Sequence, residues 1–323
     1  MKKHIIRILL FILLFFSIDL IIGQIGKKLY FKSNFPLYLK IRYTINNASE
    51  KILIYGSSRA QHHYIPANIT RHTGLSCFNC GTGGQGLAFS YIQITEMLKR
   101  SKPDLVLLDI SPNLMIDDNS LTKVKVLMPY YRSSETVKEI IDSSSEYENI
   151  KNISASYAYN SSIINILSGL FNPDSIAARG YIPLGETESQ SSWTLVADSN
   201  QLSKSQLKDF NQQFGYLKQI AGICKASNVP LLIVISPIYV ISVSESQVIE
   251  KLSTFAQSKS IHFADFSSAF STPENQKFFH DNLHLNPLGA AAFSTKLGDA
   301  INAILKINTG DIHTKTLSGS VSL

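Results

Sequence analysis

The feature that most constrains the fold of this chain is a series of short apolar segments separated by longer, helix-like stretches. Segments that are apolar at nearly every residue are typical of parallel strands covered on both faces. We predict strands at 51–55, 75–78, 103–113, 229–236 and 261–266, and helices at 88–98, 205–226, 244–258 and 287–306. Strands that alternate with helices indicate a parallel sheet of about five strands with right-handed crossovers, and hence a three-layer α/β domain.

The chain of 323 residues, 44% of them hydrophobic, can bury a full core. We predict one main domain, 51–306, interrupted by an insertion at 114–204 that includes a helix at 161–170. The insertion is rich in serine and aromatic residues, which we interpret as the core of a helical cap over the sheet edge rather than as a substrate-stacking surface. These aromatic residues are Tyr130, Tyr131, Tyr147, Tyr157, Tyr159, Tyr181 and Trp193. The polar tail, 307–323, is expected to be loose.

The first 26 residues have the composition of a membrane anchor. Basic residues are followed by an apolar run from 8 to 26 that, with its flanks, approaches the ~20 residues a spanning helix needs. Asp19 interrupts the run at a position that would lie near an interface, where a charge costs less. No small-x-small cleavage site follows the run, so we predict an uncleaved transmembrane helix rather than a removed signal peptide.

The orientation of this anchor follows less directly from the sequence. Lys27, Lys28 and Lys32 balance the basic residues upstream, so the positive-inside rule does not discriminate. We expect a single-pass protein with a short N-terminus inside and the body outside the cytoplasm, which is the periplasm if the source is bacterial. Residues 27–50 lack strong periodicity and contain the helix-breaking stretch 33–36, so we predict a stalk there.

Charge and cysteine content exclude two classes of protein. The net charge is +6 and the pI about 9.0, but the basic residues are scattered with no basic run beside aromatics, so we do not expect nucleic-acid binding. Cys77 and Cys80 have the spacing of half a zinc site, yet no second pair accompanies them and no metal site is predicted. A local Cys77–Cys80 disulfide and two small buried thiols remain alternatives.

Polar and small residues follow three of the predicted strands. Ser58 comes after the first strand in the sequence Gly-Ser-Ser, and is our candidate nucleophile, although a serine at a strand end often only caps the next helix. The second strand runs into the glycine-rich loop 79–86, which brings backbone N–H groups close to a ligand but lacks the Lys-Ser/Thr of a phosphate-binding loop. Asn113, with its amide donor, follows the third strand.

Just before the last helix stands an Asp-x-x-His sequence, Asp281 to His284. A histidine base needs a carboxylate that fixes its tautomer and stabilises the imidazolium. Ser58, Asp281 and His284 therefore supply a nucleophile, an orienting carboxylate and a base. Each falls at a strand end or an adjoining loop, and the carboxyl ends of parallel strands meet at one edge of the sheet.

These segments resemble the four sequence blocks of the SGNH (GDSL-type) hydrolase superfamily. The blocks are a Gly-x-Ser turn, an Asn-containing glycine loop, a Gly-x-Asn after the third strand, and Asp-x-x-His. In this chain they stand as Gly56-Ser57-Ser58, Asn79 to Gly84, Ser111-Pro112-Asn113 and Asp281-Asn282-Leu283-His284. The resemblance covers 51–115 and 205–306.

The resemblance implies a flavodoxin-like fold, a Ser58-His284-Asp281 triad and no cofactor. It also implies an oxyanion hole formed by the N–H groups of Ser58 and Gly84 and by the amide of Asn113. The function expected is a serine-dependent ester hydrolase.

Two positions depart from the family pattern, since Ser57 replaces the usual Asp and Ser111 the usual Gly. These variants are similar to membrane-anchored envelope members, among them polysaccharide O-acetyltransferases. The substrate expected is an O-acylated carbohydrate or another small envelope ester. O-acetyl transfer to a surface polysaccharide is one alternative. A catalytically silent, membrane-tethered protein that binds carbohydrate or assists assembly is an alternative of another class.

Other polar side chains flank the predicted site. Arg59, His62, His63 and His280 could contact a substrate, although side chains beside an active loop more often support the loop. Among them, Arg59 is our candidate substrate-binding residue.

Overall fold

The computed structural model of the protein describes residues 2–116, 120–185 and 202–309. It divides into two compact units, one of Met1–Tyr43 with Leu121–Ile176 and the other of Thr44–Ser120 with Ala177–Leu323. The second unit contains the sheet. Part of the segment predicted as an insertion, 121–176, thus groups with the N-terminal helices. Trp193 and residues 310–323 of the predicted tail lie outside the described residues.

The sheet unit contains five parallel strands in the order β2-β1-β3-β4-β5. Their bounds are β1 Ile52–Tyr55, β2 Cys77–Asn79, β3 Leu105–Asp109, β4 Leu231–Ile235 and β5 His262–Asp265. The register pairs Ile54 with both Asn79 and Leu107, and Ile233 with both Leu108 and Phe263. This 2-1-3-4-5 order is the flavodoxin-like one, so the predicted fold class is confirmed.

Helices alternate with these strands. They are α3 Ser58–His63, α4 Pro66–Thr73, α5 Leu87–Leu98, α6 Pro112–Ile116, α12 Lys204–Ala226, α13 Val243–Lys259 and α14 Pro287–Thr309. One face of the sheet, with Ile54, Leu107 and Val234, packs in a core with Ile69 of α4 and Phe293 of α14. On the other side α12 packs against α5 and α6. Side chains alternate across each strand, and this is why strands buried on both faces read as continuous apolar runs.

Local sequence signals account for several helix ends. Ser203 is the N-cap of α12 and Ser242 is the N-cap of α13. Each forms a capping box, with the side chain of Gln206 and of Glu245 respectively. The third strand ends earlier than predicted, at Asp109, because Pro112 suits the first turn of a helix and starts α6. Asn113 therefore lies in this short helix rather than at the strand end.

The other unit is helical. It comprises α1 Lys2–Lys32, α2 Pro36–Asn46, α7 Ser120–Lys123, α8 Glu135–Ser143, α9 Glu148–Lys151, α10 Tyr157–Asn160 and α11 Ile163–Gly169, with a 3-10 helix at Val124–Tyr130. Two of these helices, α2 and α7, straddle the boundary between the units. Of the predicted cap aromatics, Tyr130, Tyr131 and Tyr159 are buried, whereas Tyr147 is 62% exposed.

The N-terminal helix α1 is 31 residues long. It is long and apolar enough to cross a membrane, as the sequence predicts. The predicted break at 33–36 is present, but the stretch 27–50 is not an irregular stalk, since α1 runs on to Lys32 and α2 occupies Pro36–Asn46. The Arg42 guanidinium holds the break by donating to the carbonyls of Tyr30 and Ser33. These tertiary hydrogen bonds are invisible to helical periodicity.

Candidate active site

The turn after β1 presents Ser58 at the carboxyl edge of the sheet. Gly56 has φ +143°, and a Cβ at this position would lie 2.6 Å from the carbonyl oxygen of Asp109 on the adjacent β3. Only glycine fits this close approach, and the chain then turns directly into α3, of which Ser58 is the first residue. The side chain of Ser58 is thereby fixed at the start of a helix, at the end of a central strand.

His284 and Asp281 complete a continuous hydrogen-bonded chain with this serine. The Nε2 of His284 lies 2.8 Å from the Ser58 Oγ, and its Nδ1 lies 2.9 Å from Asp281 Oδ2. A carboxylate only accepts, so Nδ1 carries the proton and the Nε2 lone pair faces the serine hydroxyl. The structure therefore brings together the three residues that the sequence predicts, in the geometry of a nucleophile, a base and its orienting group.

Asp281 is itself held in place by the loop. Its Oδ1 accepts hydrogen bonds from the backbone N–H groups of Leu283, at 2.7 Å, and His284, at 2.8 Å. Burial acts to raise the pKa of Asp281, but the hydrogen bonds from the His284 ring and from these two N–H groups outweigh it and lower the pKa below its ordinary value. The carboxyl group therefore stays ionised beside the imidazole.

A second histidine, His63, supports the loop that carries His284. Its Nε2 accepts a 3.0 Å hydrogen bond from the backbone N–H of Leu285, and its Nδ1 lies 3.0 Å from the Ser236 Oγ, just beyond β4. Because Nε2 accepts, the proton is on Nδ1. Burial, with the nearby charges of Arg59, His284 and His62, lowers the pKa of His63 well below its ordinary value, so the ring is neutral. It is fully buried and does not face a substrate.

Arg59 is not a substrate-binding residue, contrary to the sequence prediction. The side chain is only 2% exposed. Its Nε and Nη2 donate to the Ser236 Oγ at 3.1 and 2.9 Å, and Nη2 also donates to the Ser236 carbonyl oxygen. The cation points beneath the sheet edge because Ser58 and Arg59 are adjacent on a helix and so face different directions.

Ser236 also joins this arginine to a buried acid. The Asp109 Oδ1 accepts from the Ser236 N–H at 3.2 Å and from the Tyr64 hydroxyl at 2.5 Å. A cation and an anion thus bind the same residue at the end of β4. These hydrogen bonds join α3, β3 and β4, so the network has a structural role, while the Arg59 Nη1 and the Asp109 Oδ2 are buried with no hydrogen-bond partner among the described residues.

The glycine loop is tied to the nucleophile turn. The Asn79 amide donates to the carbonyls of Ala60 and Tyr64 at 2.7 and 3.0 Å, and the Thr82 N–H donates to the Gly56 carbonyl at 3.0 Å. Gly84 has φ +73°, a conformation that favours glycine. These bonds hold the loop that contains the predicted donor Gly84 beside Ser58.

The adjacent glycine shows how near this loop comes to the nucleophile. A Cβ at Gly83 would lie 3.8 Å from the Ser58 Cβ. The Gly83 N–H donates to the Gln61 Oε1 at 3.0 Å and is therefore occupied.

Asn113 lies in α6, which directly follows β3. Its Oδ1 is buried and has no hydrogen-bond partner among the described residues. The residue is at the same edge of the sheet as Ser58, since both follow adjacent parallel strands. This is where the sequence predicts an oxyanion donor.

The two departures from the family pattern are in contact. The hydroxyl oxygens of Ser57 and Ser111 lie 3.1 Å apart and both residues are buried. Two hydroxyls can exchange one hydrogen bond without a buried charge. Each replacement is therefore accommodated by the other, and neither reaches the Ser58–His284 pair.

Two other histidines flank the site. The His62 Nδ1 lies 2.7 Å from the carbonyl oxygen of Ile182, and its ring centroid lies 5.8 Å from that of His284. His280 donates its backbone N–H to the His284 carbonyl at 2.8 Å. The His62 side chain thus contacts the segment at Ile182, and the His280 backbone contacts the loop that carries His284.

The cysteine alternatives are decided in favour of free thiols. No disulfide links Cys77, Cys80 or Cys224, and all three are buried, so of the two alternatives the local disulfide is wrong. Cys77 starts β2 and Cys80 follows it, three positions apart. Side chains an odd number of positions apart in an extended segment point to opposite faces, so the two sulfurs do not meet. Among the described residues no group of three or more His, Cys, Asp or Glu could hold a metal ion.

No family model and no curated protein matches the chain. Solved structures do match. Among them are structures described as an acylhydrolase and as GDSL-type lipases.

Three of these structures are bacterial. One is described as an acylhydrolase from Bacteroides fragilis, with 12% identity, a TM-score of 0.43 and coverage of 82% of this chain and 96% of the other. The second is assigned to the G-D-S-L family of lipolytic proteins from Desulfitobacterium hafniense. It has 10% identity, a TM-score of 0.42 and coverage of 79% of this chain and 99% of the other. The third is described as a GDSL-like lipase from Bacteroides thetaiotaomicron. It has 10% identity, a TM-score of 0.34 and coverage of 77% of this chain and 88% of the other.

Proposed function

We propose that this protein is a serine ester hydrolase that acts through an acyl-enzyme at Ser58. The observation that carries the proposal is the hydrogen-bonded chain from the Ser58 hydroxyl through His284 to Asp281. This order of groups turns a weak nucleophile into a strong one, since the base is in contact and its tautomer is fixed.

The mechanism follows from these contacts. The His284 Nε2 takes the proton of the Ser58 hydroxyl while the oxygen attacks the ester carbonyl. The resulting oxyanion is stabilised by the N–H groups of Ser58 and Gly84 and by the Asn113 amide, donors aimed at the place where charge develops. The alcohol leaves with the proton from His284, and a water molecule, deprotonated by the same ring, hydrolyses the acyl-serine.

The substrate class proposed is an O-acylated carbohydrate or another small ester of the cell envelope. An N-terminal helix suited to a membrane supports this location, as does the resemblance of the Ser57 and Ser111 variants to envelope members of the superfamily. If a sugar hydroxyl replaces water in the second step, the same acyl-serine gives an O-acetyltransferase. A product analysis with an acetyl donor, with and without a polysaccharide acceptor, distinguishes hydrolysis from transfer.

A fluorophosphonate probe tests the proposal, because it labels an activated serine. The wild-type protein should be labelled at Ser58, and Ser58→Ala should abolish labelling. Ser57→Ala is the matched control, since Ser57 is adjacent but bonded to Ser111 and should not be needed. Labelling lost in Ser57→Ala but kept in Ser58→Ala would contradict the assignment. A folded wild-type protein that neither labels nor turns over any ester would favour the silent binding or assembly protein.

We also propose that α1 anchors the protein and that the sheet unit faces away from the cytoplasm. The support is the length and composition of α1, which is exposed along its apolar run. Protease added to right-side-out membrane vesicles should remove the sheet unit. Full protection of that unit in sealed vesicles, with digestion after detergent is added, would reverse the orientation.

A further inference from the structure

Helix α9 and its flanking turns expose a row of large apolar side chains in the helical unit. Tyr147, Ile150 and Ile153 are 62%, 60% and 64% exposed and follow one another at a spacing of three. Residues three apart lie on one side of a helix, so they form a single surface, here named the α9 face. Exposed apolar residues grouped in this way mark a surface that has a partner.

The α9 face adjoins a loop that contacts α1 inside its apolar run. The Asp19 Oδ1 accepts from the hydroxyls of Ser154 and Ser156 at 2.7 and 2.6 Å, and its Oδ2 accepts from the Ala155 N–H at 2.6 Å. The one acidic residue of α1 is thus surrounded by donors from residues that directly follow Ile153. Polar groups at membrane depth must be satisfied within the protein, and this carboxylate is.

The contacts with α1 show where this loop lies along the axis of the helix. With a rise of about 1.5 Å per residue, Asp19 lies about 5 Å before Ile22 and about 10 Å before Gly26, the end of the apolar run. Further out, the Tyr159 ring packs against Gly26, and the Asn34 N–H donates to the Gly169 carbonyl at 2.8 Å. The chain from Ser154 to Gly169 therefore runs beside α1 from Asp19 towards Asn34, and Ile153 of the α9 face directly precedes the part of this segment that contacts the apolar run.

The charges of α9 are paired within the protein. Glu148 is fully buried and accepts hydrogen bonds from Lys125 at 2.7 Å, Lys151 at 3.0 Å and the Tyr157 hydroxyl at 3.1 Å. Lysine stems cover apolar surface while their ammonium groups reach a polar partner. The α9 face thus carries apolar side chains outward while its acid is turned inward, the distribution expected of a segment in contact with lipid.

We propose that the α9 face inserts into the membrane beside α1, with Ile150 and Ile153 among the acyl chains and Tyr147 at the headgroup boundary. The occupant is the bilayer itself, because Ser154, the residue after Ile153, binds Asp19 within the exposed apolar run of α1. This inference rests on the proposed membrane anchor. It assigns the helical unit a role as a second, monotopic attachment that fixes the unit against the membrane surface.

Depth-dependent fluorescence quenching tests this. Ile153→Cys, Ile164→Cys and Glu139→Cys in the full-length chain are labelled with an environment-sensitive fluorophore and placed, one chain per disc, in phosphatidylcholine nanodiscs containing nitroxide-labelled lipid. The native cysteines are buried, and their background labelling is measured on wild-type protein treated with the same fluorophore. The probe at 153 should lose most of its emission. The probe at 164 should lose less, because it lies in α11, which contacts the chain near Asn34, beyond the apolar run. The control at Glu139, exposed on α8, should keep its emission.

Leu13→Cys in the middle of α1 separates the outcomes. Quenching at 13 and 153 but not at 139 supports the proposal. Quenching at 13 with residue 153 no different from 139 overturns it and leaves the anchor intact. No quenching at 13 overturns the anchor and the inference together. Blue-shifted emission at 153 without lipid quenching assigns the face to protein contacts and also overturns the proposal.

Discussion

His63 accepts, at its Nε2, a 3.0 Å hydrogen bond from the backbone N–H of Leu285, the residue directly after His284. The Nδ1 of the same ring lies 3.0 Å from the Ser236 hydroxyl, at the end of β4. A buried neutral ring thus joins the loop of the candidate base to the sheet. His63 lies in α3, the helix that starts with Ser58. The helix that carries the nucleophile therefore also holds the loop that carries the base.

We therefore expect His63→Ala to lower kcat by up to about 10²-fold with little change in KM, because a displaced base costs rate and not binding. His63→Gln should recover much of the loss, since its Oε1 can accept from Leu285. His72→Ala, an exposed histidine of α4, is the control. Steady-state kinetics on a small ester separate the two parameters. Equal changes in KM, or no rescue by glutamine, would contradict a positioning role.

The pH dependence of stability follows from the lowered pKa of His63. Below the ordinary pKa of about 6.5, the histidine binds a proton in the unfolded chain but stays neutral in the folded protein. The free energy of unfolding therefore falls as the pH drops, by up to about 1.4 kcal/mol per pH unit, until the pKa of the folded state is reached. The charged or titratable neighbours of the ring are Arg59, His62 and His284. His63→Gln should show a shallower loss of the free energy of unfolding between pH 7.5 and 5.5, measured in detergent by denaturant titration. Parallel slopes for the two proteins would contradict this.

Asp281→Asn should lower kcat by about 10⁴-fold, because an amide stabilises the wrong tautomer of the ring. Asp265→Asn, at the end of β5, is a matched control outside the hydrogen-bonded chain and should be near neutral. The rate of fluorophosphonate labelling gives an independent reading. Since the pKa of Asp281 is lowered, its share of stability is present above the ordinary carboxyl pKa and is lost only as pH falls through the folded value.

Asn113→Ala should lower kcat by about 10²–10³-fold, the effect of losing one oxyanion donor. Asn113→Asp keeps the shape but replaces the amide donor with a carboxylate, and should be at least as impaired. Initial rates at saturating ester measure this. An Asn113→Ala enzyme with unchanged kcat would remove this residue from the oxyanion hole.

Thiol titration checks the cysteines. Denaturation without reductant should release three reactive thiols, since none of the three cysteines is in a disulfide. In the folded protein they should react slowly, because burial raises the pKa of Cys77 well above its ordinary value and that of Cys224 to about 12. A count of one thiol would restore the Cys77–Cys80 disulfide.

The sequence by itself determined the parallel sheet, the apolar N-terminal helix and the Ser58, Asp281 and His284 group. These are encoded by local signals: unbroken apolar runs for strands buried on both faces, and a short Asp-x-x-His spacing that forms its own contact. Because parallel strands present their carboxyl ends at one edge, residues at strand ends are brought together by topology alone. That rule alone was enough to place Ser58 at the predicted site.

Only the tertiary structure decided which neighbours of the triad face solvent. Arg59 and Ser58 are adjacent in sequence, yet the arginine is buried because its partner, Ser236, is 177 positions away. His63 finds Leu285 across 222 positions, and Asp19 finds Ala155 across 136. In these three cases a charged or polar side chain is buried where donors or acceptors from distant segments bind it, and that complementarity leaves no periodic trace in the sequence.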